Sequence, residues 1–89
     1  MAGRLWRTVP GVIDQPEDPL QVHRQRRHDA HQHAAQTHDL AAERHDATAE
    51  TFARLGEDET AAEERRKAAR ERVKAEVARQ RAAMELLEH

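Results

Sequence analysis

Residues 31–52 read HQHAAQT HDLAAER HDATAET F, which is a seven-residue repeat. Histidine opens three successive heptads at positions 31, 38 and 45, and Phe52 occupies the same place in the next one. Alanine follows three or four residues later in each heptad. Because a seven-residue period with small or apolar residues three to four apart is typical of coiled coils, the stretch predicts a long helix with a seam of histidine and alanine.

The limits of this helix are also visible in the sequence. Asp18 is suited to be the N-cap and Pro19 to be the first helical residue. No Pro or Gly follows until Gly56, a residue type that commonly ends a helix. These residues predict a first helix over 19–55.

A second helix with the same period is predicted after a short turn. Alanine recurs at positions 61, 68, 75 and 82. The segment from Thr60 to Glu63 matches a capping box, in which the two side chains bond to each other's backbone N–H groups. We therefore expect a turn at 56–60 and a helix at 61–87. A short link between two long helices predicts an all-α, antiparallel helical hairpin over 18–89.

Charged residues predict how the two helices face each other. The first helix has an acidic stripe, and the second has arginines at heptad spacing. These residues are Asp39, Glu43, Asp46 and Glu50, and Arg65, Arg72 and Arg79. If paired residue numbers sum to about 116, as a turn centred near residue 58 implies, His45 lies near Glu71 and His31 near Glu85.

The composition indicates that a single hairpin has a poor hydrophobic core by itself. Of 89 residues, 33 are hydrophobic and 17 of these are alanine, whereas Leu, Ile, Val and Phe together number 13. This excludes a β-sandwich or a conventional globular core. We expect two hairpins to pair into a four-helix bundle, so that the protein is a homo-oligomer with a dimer favoured. The predicted self-association seam consists of His31, Ala34, His38, Ala41, His45, Phe52, Ala69, Val73, Val77 and Met84.

Residues 1–17 are predicted to form an extended N-terminal arm, because Pro and Gly interrupt any helical period there. Two interpretations of its apolar residues stay open: they pack back on a helix end, or they dock on an unidentified protein partner. The residues concerned are Leu5, Trp6, Val9 and Ile13. The last three residues, 87–89, match the start of a common purification tag, so His89 carries no weight.

The histidines allow several interpretations. In the structural one, the seam imidazoles pack beside alanine and bond to polar partners. In the metal-binding one, only His28 and His31 are close enough within a helix to share an ion, because residues seven apart lie about 10 Å from each other. In the pH-sensing one, protonated seam histidines repel, and stability falls as the pH drops.

Other function classes receive less support from the sequence. Arg24, Arg26 and Arg27 could contact phosphates, but a net charge of −2 and only two aromatic residues disfavour nucleic acid as a partner. No apolar run is long enough for a membrane span, and no leader is apparent, so we expect a cytoplasmic protein without a membrane partner. No arrangement of nucleophile and base is present, which predicts a non-enzymatic protein without a cofactor.

The sequence thus predicts a self-associating helical hairpin that acts as a protein–protein interaction or structural module. The first alternative is a histidine-rich metal-binding bundle, with His28 and His31 as ligands. The second is a small nucleic-acid-associated protein that binds through the basic start of the first helix.

Overall fold

The computed structural model describes residues 18–87, which form two α-helices packed against each other. Helix α1 spans Pro19–Arg54 and helix α2 spans Asp58–Leu87. Together they make up 94% of the described residues, and no strand occurs among these. The predicted all-helical fold is confirmed. The arm at 1–17, with Leu5, Trp6, Val9 and Ile13, lies outside the described residues, and the pairing of two hairpins stays a prediction.

Helix α1 begins and ends with capping interactions that its sequence specifies. Asp18 Oδ1 accepts a hydrogen bond of 3.0 Å from the Leu20 N–H, and Pro19 occupies the first turn. At the other end, Gly56 has φ of +80°, a backbone conformation that side chains with a Cβ rarely adopt. The Glu57 N–H donates to the Phe52 carbonyl at 2.8 Å, and the Gly56 N–H to the Ala53 carbonyl at 3.1 Å. This pair of bonds is a Schellman motif, which reverses the chain immediately after α1.

Helix α2 begins earlier than the sequence indicates. The capping box predicted at 60–63 is wrong, because the helix already starts at Asp58 and Thr60 is inside its first turn. The Ala61 N–H donates to the Glu57 carbonyl at 2.9 Å, so the ladder of helical hydrogen bonds starts from Glu57. Asp58 and Glu59 lie in the first turn, where their negative charges are favoured by the positive end of the helix dipole. The link between the helices is therefore residues 55–57.

The two helices run antiparallel. Arg27, early in α1, contacts Glu85, late in α2, whereas His45, late in α1, contacts Glu64, early in α2.

Neither helix in the described range has the length and apolar character that crossing a bilayer requires.

Alanine forms the whole buried core of the described residues. In α1 the buried positions follow the heptad, and in α2 they follow it with one addition, Ala78. These residues are Ala35, Ala42 and Ala49, and Ala61, Ala68, Ala75, Ala78 and Ala82. Because an alanine side chain is small, the backbones can approach closely, but each residue removes little apolar surface from water.

Candidate functional site

A repeated histidine–glutamate contact runs along the interface between the helices. Nδ1 of His38 lies 2.6 Å from Oε2 of Glu71, and Nδ1 of His45 lies 2.6 Å from Oε2 of Glu64. Since a carboxylate accepts in these bonds, the proton is on Nδ1 of each imidazole. We refer to these four residues as the histidine–glutamate ladder.

Each ladder glutamate has a second partner, a lysine on its own helix. Lys67 Nζ lies 3.1 Å from Oε1 of Glu64, and Lys74 Nζ lies 3.5 Å from Oε1 of Glu71. One carboxylate oxygen thus accepts from an imidazole on α1, and the other faces an ammonium group one turn further along α2. The side chains of Glu64 and Glu71 are only 14% and 19% exposed, which places them at the edge of the alanine core.

The contacts of the ladder stabilise the ionised form of its glutamates. The hydrogen bond from His45 lowers the pKa of Glu64 from its ordinary value of 4.5, with a smaller contribution from Lys67. The hydrogen bond from His38 likewise lowers the pKa of Glu71, and loss of hydration opposes this effect. Both carboxylates are consequently charged at neutral pH.

The register between the helices differs from the sequence-based expectation. The expected proximity of His45 to Glu71 is wrong, because His45 binds Glu64 and Glu71 binds His38. The residue numbers of both pairs sum to 109, since the link is three residues long and α2 starts at Asp58. His31 does approach Glu85, with 3.9 Å between Nε2 and Oε1.

The ladder also changes the physical basis of the pH-sensing hypothesis. That hypothesis required the seam histidines to repel one another when protonated. In the structure the nearest ionisable group to His38 or His45 is a carboxylate at 2.6 Å, whereas neighbouring seam histidines are seven residues apart. A positive charge on either imidazole would therefore be attracted by its partner.

One side of the hairpin carries the predicted pairs between aspartate and arginine. Arg79 Nη1 lies 2.8 Å from Oδ2 of Asp39, and Arg72 binds Asp46 one heptad away. The matching periods of the acidic and basic stripes thus indicated a real contact. These four side chains are about half-exposed, so each pair contributes at most about 1 kcal/mol.

The predicted metal ligands have other partners in this structure. Nδ1 of His28 lies 2.9 Å from the Ala82 carbonyl oxygen, and His31 faces Glu85. Within residues 18–87, no three histidine, aspartate or glutamate side chains converge as a metal site requires.

The arginines predicted to contact phosphates lie in different surroundings. Arg27 Nε lies 2.8 Å from Oε2 of Glu85, so this guanidinium already has an anionic partner. Arg26 lines a shallow groove at the start of α1 together with Val22 and Gln25, and Arg24 is half-buried.

The predicted self-association seam is split between two surfaces. On α1, six of its residues lie at the helix interface or its edge and are half-buried. The fully buried alanines there are Ala35, Ala42 and Ala49, and Ala34 and Ala41 of the predicted seam are only half-buried. The six are His31, Ala34, His38, Ala41, His45 and Phe52. On α2, the other four are not buried against α1, because the buried alanines take that face, although Val73 and Val77 line a groove that also contacts α1. These four are Ala69, Val73, Val77 and Met84, and all are exposed.

Helix α2 instead has an exposed, largely apolar face that Arg66 and Gln80 interrupt, and its Val73 and Val77 also line a groove beside α1. We call it the outer stripe, and it consists of Ala62, Ala69, Val73, Val77, Met84 and Leu87. At 100° per residue it lies roughly 160° around the axis from the buried alanines. Val73 is 63% exposed, Met84 60% and Leu87 72%. The larger apolar side chains of α2 are thus outside the hairpin, and alanine is inside it.

The register expected from the sequence places Glu71 beside His45 instead of His38 and gives Glu64 no histidine partner. A signal was present, because glutamate occupies positions 64, 71 and 85 of α2 at multiples of seven residues.

No protein-family profile, curated protein or solved structure matches this chain.

Proposed function

We propose that this protein is a non-enzymatic, self-associating helical hairpin that serves in the cytoplasm as a protein–protein interaction or structural module. Its functional unit is a pair of hairpins that forms a four-helix bundle. The observation that carries the proposal is the outer stripe, an exposed and largely apolar face of α2 that Arg66 and Gln80 interrupt.

The distribution of apolar area supports a second copy as that partner. The interior of the hairpin is alanine, whose burial contributes little free energy. Full burial of a valine or methionine side chain contributes about 1.5–3 kcal/mol, and the outer stripe holds Val73, Val77 and Met84 in exposed positions. Pairing through this face buries the side chains that a lone hairpin leaves in water.

The spacing of the stripe makes it complementary to itself. If two copies of α2 run antiparallel about a two-fold axis at Val73, residues equally far before and after Val73 face each other. Val77 of one copy then meets Ala69 of the other, and Met84 meets Ala62. Val77 and Met84 are thus each opposite an alanine, which is an arrangement that packs well at a helix interface, and Val73 meets Val73 of the other copy.

The charges beside the stripe agree with this arrangement. Under the same two-fold axis, Arg70 of one copy lies opposite Glu76 of the other. Both residues are exposed in the hairpin, and Glu76 contacts only Arg79 of its own helix, at 3.2 Å, among the described residues. The two symmetric charge pairs would favour the antiparallel orientation over a parallel one.

The two alternative functions have less support. For metal binding, the described residues bring no third ligand to His28 and His31. For nucleic acid binding, Arg27 is paired with Glu85, and the described part of the chain has a single aromatic residue, Phe52, which is half-buried at the helix interface.

Sedimentation equilibrium on the full chain tests the proposal. We expect the mass of a dimer, and we expect Val73→Glu to shift the equilibrium to monomer because it places two carboxylates at the two-fold axis. Leu40→Glu is the matched control, since Leu40 is a similarly exposed apolar residue on the outer face of α1. A monomeric wild type up to millimolar concentration, or equal masses for the two variants and the wild type, would contradict the proposal.

A further inference from the structure

The side of the hairpin that carries the aspartate–arginine pairs loses its charge at the end opposite the link. The pairs are Asp46 with Arg72 and Asp39 with Arg79, one heptad apart on each helix. One heptad further along the same series, α1 has Gln32 and α2 has Leu86. A heptad beyond Gln32, α1 has Gln25. Uncharged side chains therefore occupy the place where the series would continue with a third charge pair.

These side chains lie on the same side of the hairpin as a groove at the start of α1. The groove has a volume of about 420 Å³, and Val22 and Gln25 are among the residues that line it. The contact of 2.8 Å between Arg27 and Glu85 places the last turn of α2 beside the first turns of α1. Val22 is half-buried, and the neighbour of Glu85, Leu86, is 50% exposed. We call this area the open-end surface, and it consists of Val22, Gln25, Gln32 and Leu86.

The chain itself supplies a segment that ends at this surface. Asp18, the N-cap of α1, lines the groove, and residues 1–17 come directly before it. Five of the nine residues at 5–13 are large and apolar, namely Leu5, Trp6, Val9, Val12 and Ile13. The chain from Trp6 to Asp18 can extend to about 40 Å. The groove from Asp18 to Arg26 is only about 12 Å long, so the segment has ample length to turn back along it.

The charges beside Trp6 also fit this surface. Trp6 lies between Arg4 and Arg7 in the sequence. Asp29, one turn along α1 from Gln25, accepts a hydrogen bond of 3.0 Å from the Gln25 side chain, which is its side-chain partner within residues 18–87. An arginine that arrives next to Trp6 would give this carboxylate a cationic partner.

We propose that residues 5–13 fold back along the start of α1 and dock on the open-end surface of their own hairpin. Trp6 and the aliphatic side chains around it cover Val22 and Leu86 and remove them from water. This docking does not use the outer stripe, because Leu86 lies roughly 140° around the axis of α2 from Val73. The segment and a second copy therefore occupy different sides of the hairpin, and the inference does not depend on the pairing.

Fluorescence of Trp6 in the full chain tests the inference, because the chain has a single tryptophan. We expect emission at a shorter wavelength, and weaker quenching by acrylamide, in the folded chain than in the same chain unfolded by urea. Leu86→Arg and Val22→Arg should each move both values to those of the unfolded chain, because the new charge repels Arg4 and Arg7. Leu40→Arg, which adds the same charge at an exposed leucine of α1, should retain the wild-type values.

Three outcomes would overturn the inference, with circular dichroism used to show that each chain is helical. The first is an indole as accessible to acrylamide in the folded wild type as in urea. The second is unchanged emission in both Leu86→Arg and Val22→Arg. The third is a blue shift that appears only as the protein concentration rises, which would place the segment on a second copy. A blue shift that persists in monomeric Val73→Glu would support the docking whether or not the hairpins pair.

Discussion

His45 on α1 and Glu64 on α2 are joined by a contact of 2.6 Å between Nδ1 and Oε2, and the same contact recurs one heptad away between His38 and Glu71. Because alanine side chains are small and alike, an interface made of alanines does not by itself fix the register between the two helices. The two directional contacts supply that register, because a shift of α2 by a single residue moves its side chains by 1.5 Å along the axis and by 100° around it, which would separate both imidazoles from their carboxylates.

The first prediction concerns the coupling between His45 and Glu64. His45→Ala and Glu64→Ala should each lower the melting temperature by a few degrees, and the double variant should lose less than the sum of the two. The His45→Ala, Glu63→Ala pair is the control, because Glu63 is exposed and lies beside Glu64 in the sequence. Equal coupling energies in the two double-mutant cycles would show that the ladder contact does not stabilise the hairpin.

The second prediction concerns the effect of acid on the stability of the hairpin. The pKa values of Glu64 and Glu71 are lowered in the folded chain from the ordinary 4.5, so folding favours their ionised forms. The stability that these groups contribute is therefore complete above about pH 4.5 and is lost as the pH falls through their folded pKa values. Circular-dichroism melts between pH 6 and pH 2 should show a smaller loss in the Glu64→Gln, Glu71→Gln variant than in the wild type. Glu63→Gln should retain the full loss, and identical pH profiles for all three chains would contradict the account.

The third prediction concerns the turn. Gly56 has φ of +80°, and a Cβ at this position would meet no atom within 4 Å. Gly56→Ala should therefore destabilise the chain through backbone strain alone, by about 1–2 kcal/mol in urea unfolding at fixed protein concentration. Gly56→Asn should cost less, because asparagine tolerates this conformation better than alanine. A Gly56→Ala chain as stable as the wild type would contradict the Schellman motif.

The fourth prediction concerns the alanine core. Ala42 is 1% exposed, so Ala42→Leu must push the helices apart and should cost about 1–3 kcal/mol. Ala47→Leu adds the same side chain at an exposed position of the same helix and should change stability by less than about 0.5 kcal/mol. Urea unfolding compares the two, and a stabilised Ala42→Leu chain would show that the helices are not closely packed at this point.

Much of the fold followed from the sequence because its signals are local. Asp18, Pro19 and Gly56 determine the ends of α1 through their own backbone and side-chain chemistry. The start of α2 was missed because Thr60 and Glu63 resemble a capping box, whereas the Schellman turn at Gly56 leads directly into a helix at Asp58.

The interface between the helices was harder to predict. Adjacent alanines such as Ala34 and Ala35 have equal hydrophobicity, so a heptad pattern alone does not say which one is buried. The exposed position of Val73 follows from the register, which depends on the length of the turn. The partners of His38 and His45 depend on that same length and for this reason could not be derived from periodicity.

The central claim is that two hairpins pair through the outer stripe with Val73 at the two-fold axis. Disulfide formation in Val73→Cys tests it most directly, because the chain has no other cysteine. We predict that this variant oxidises to a covalent dimer far faster than Leu40→Cys, whose thiol is on the outer face of α1. Equally slow crosslinking of the two variants, measured by non-reducing electrophoresis, would contradict the account.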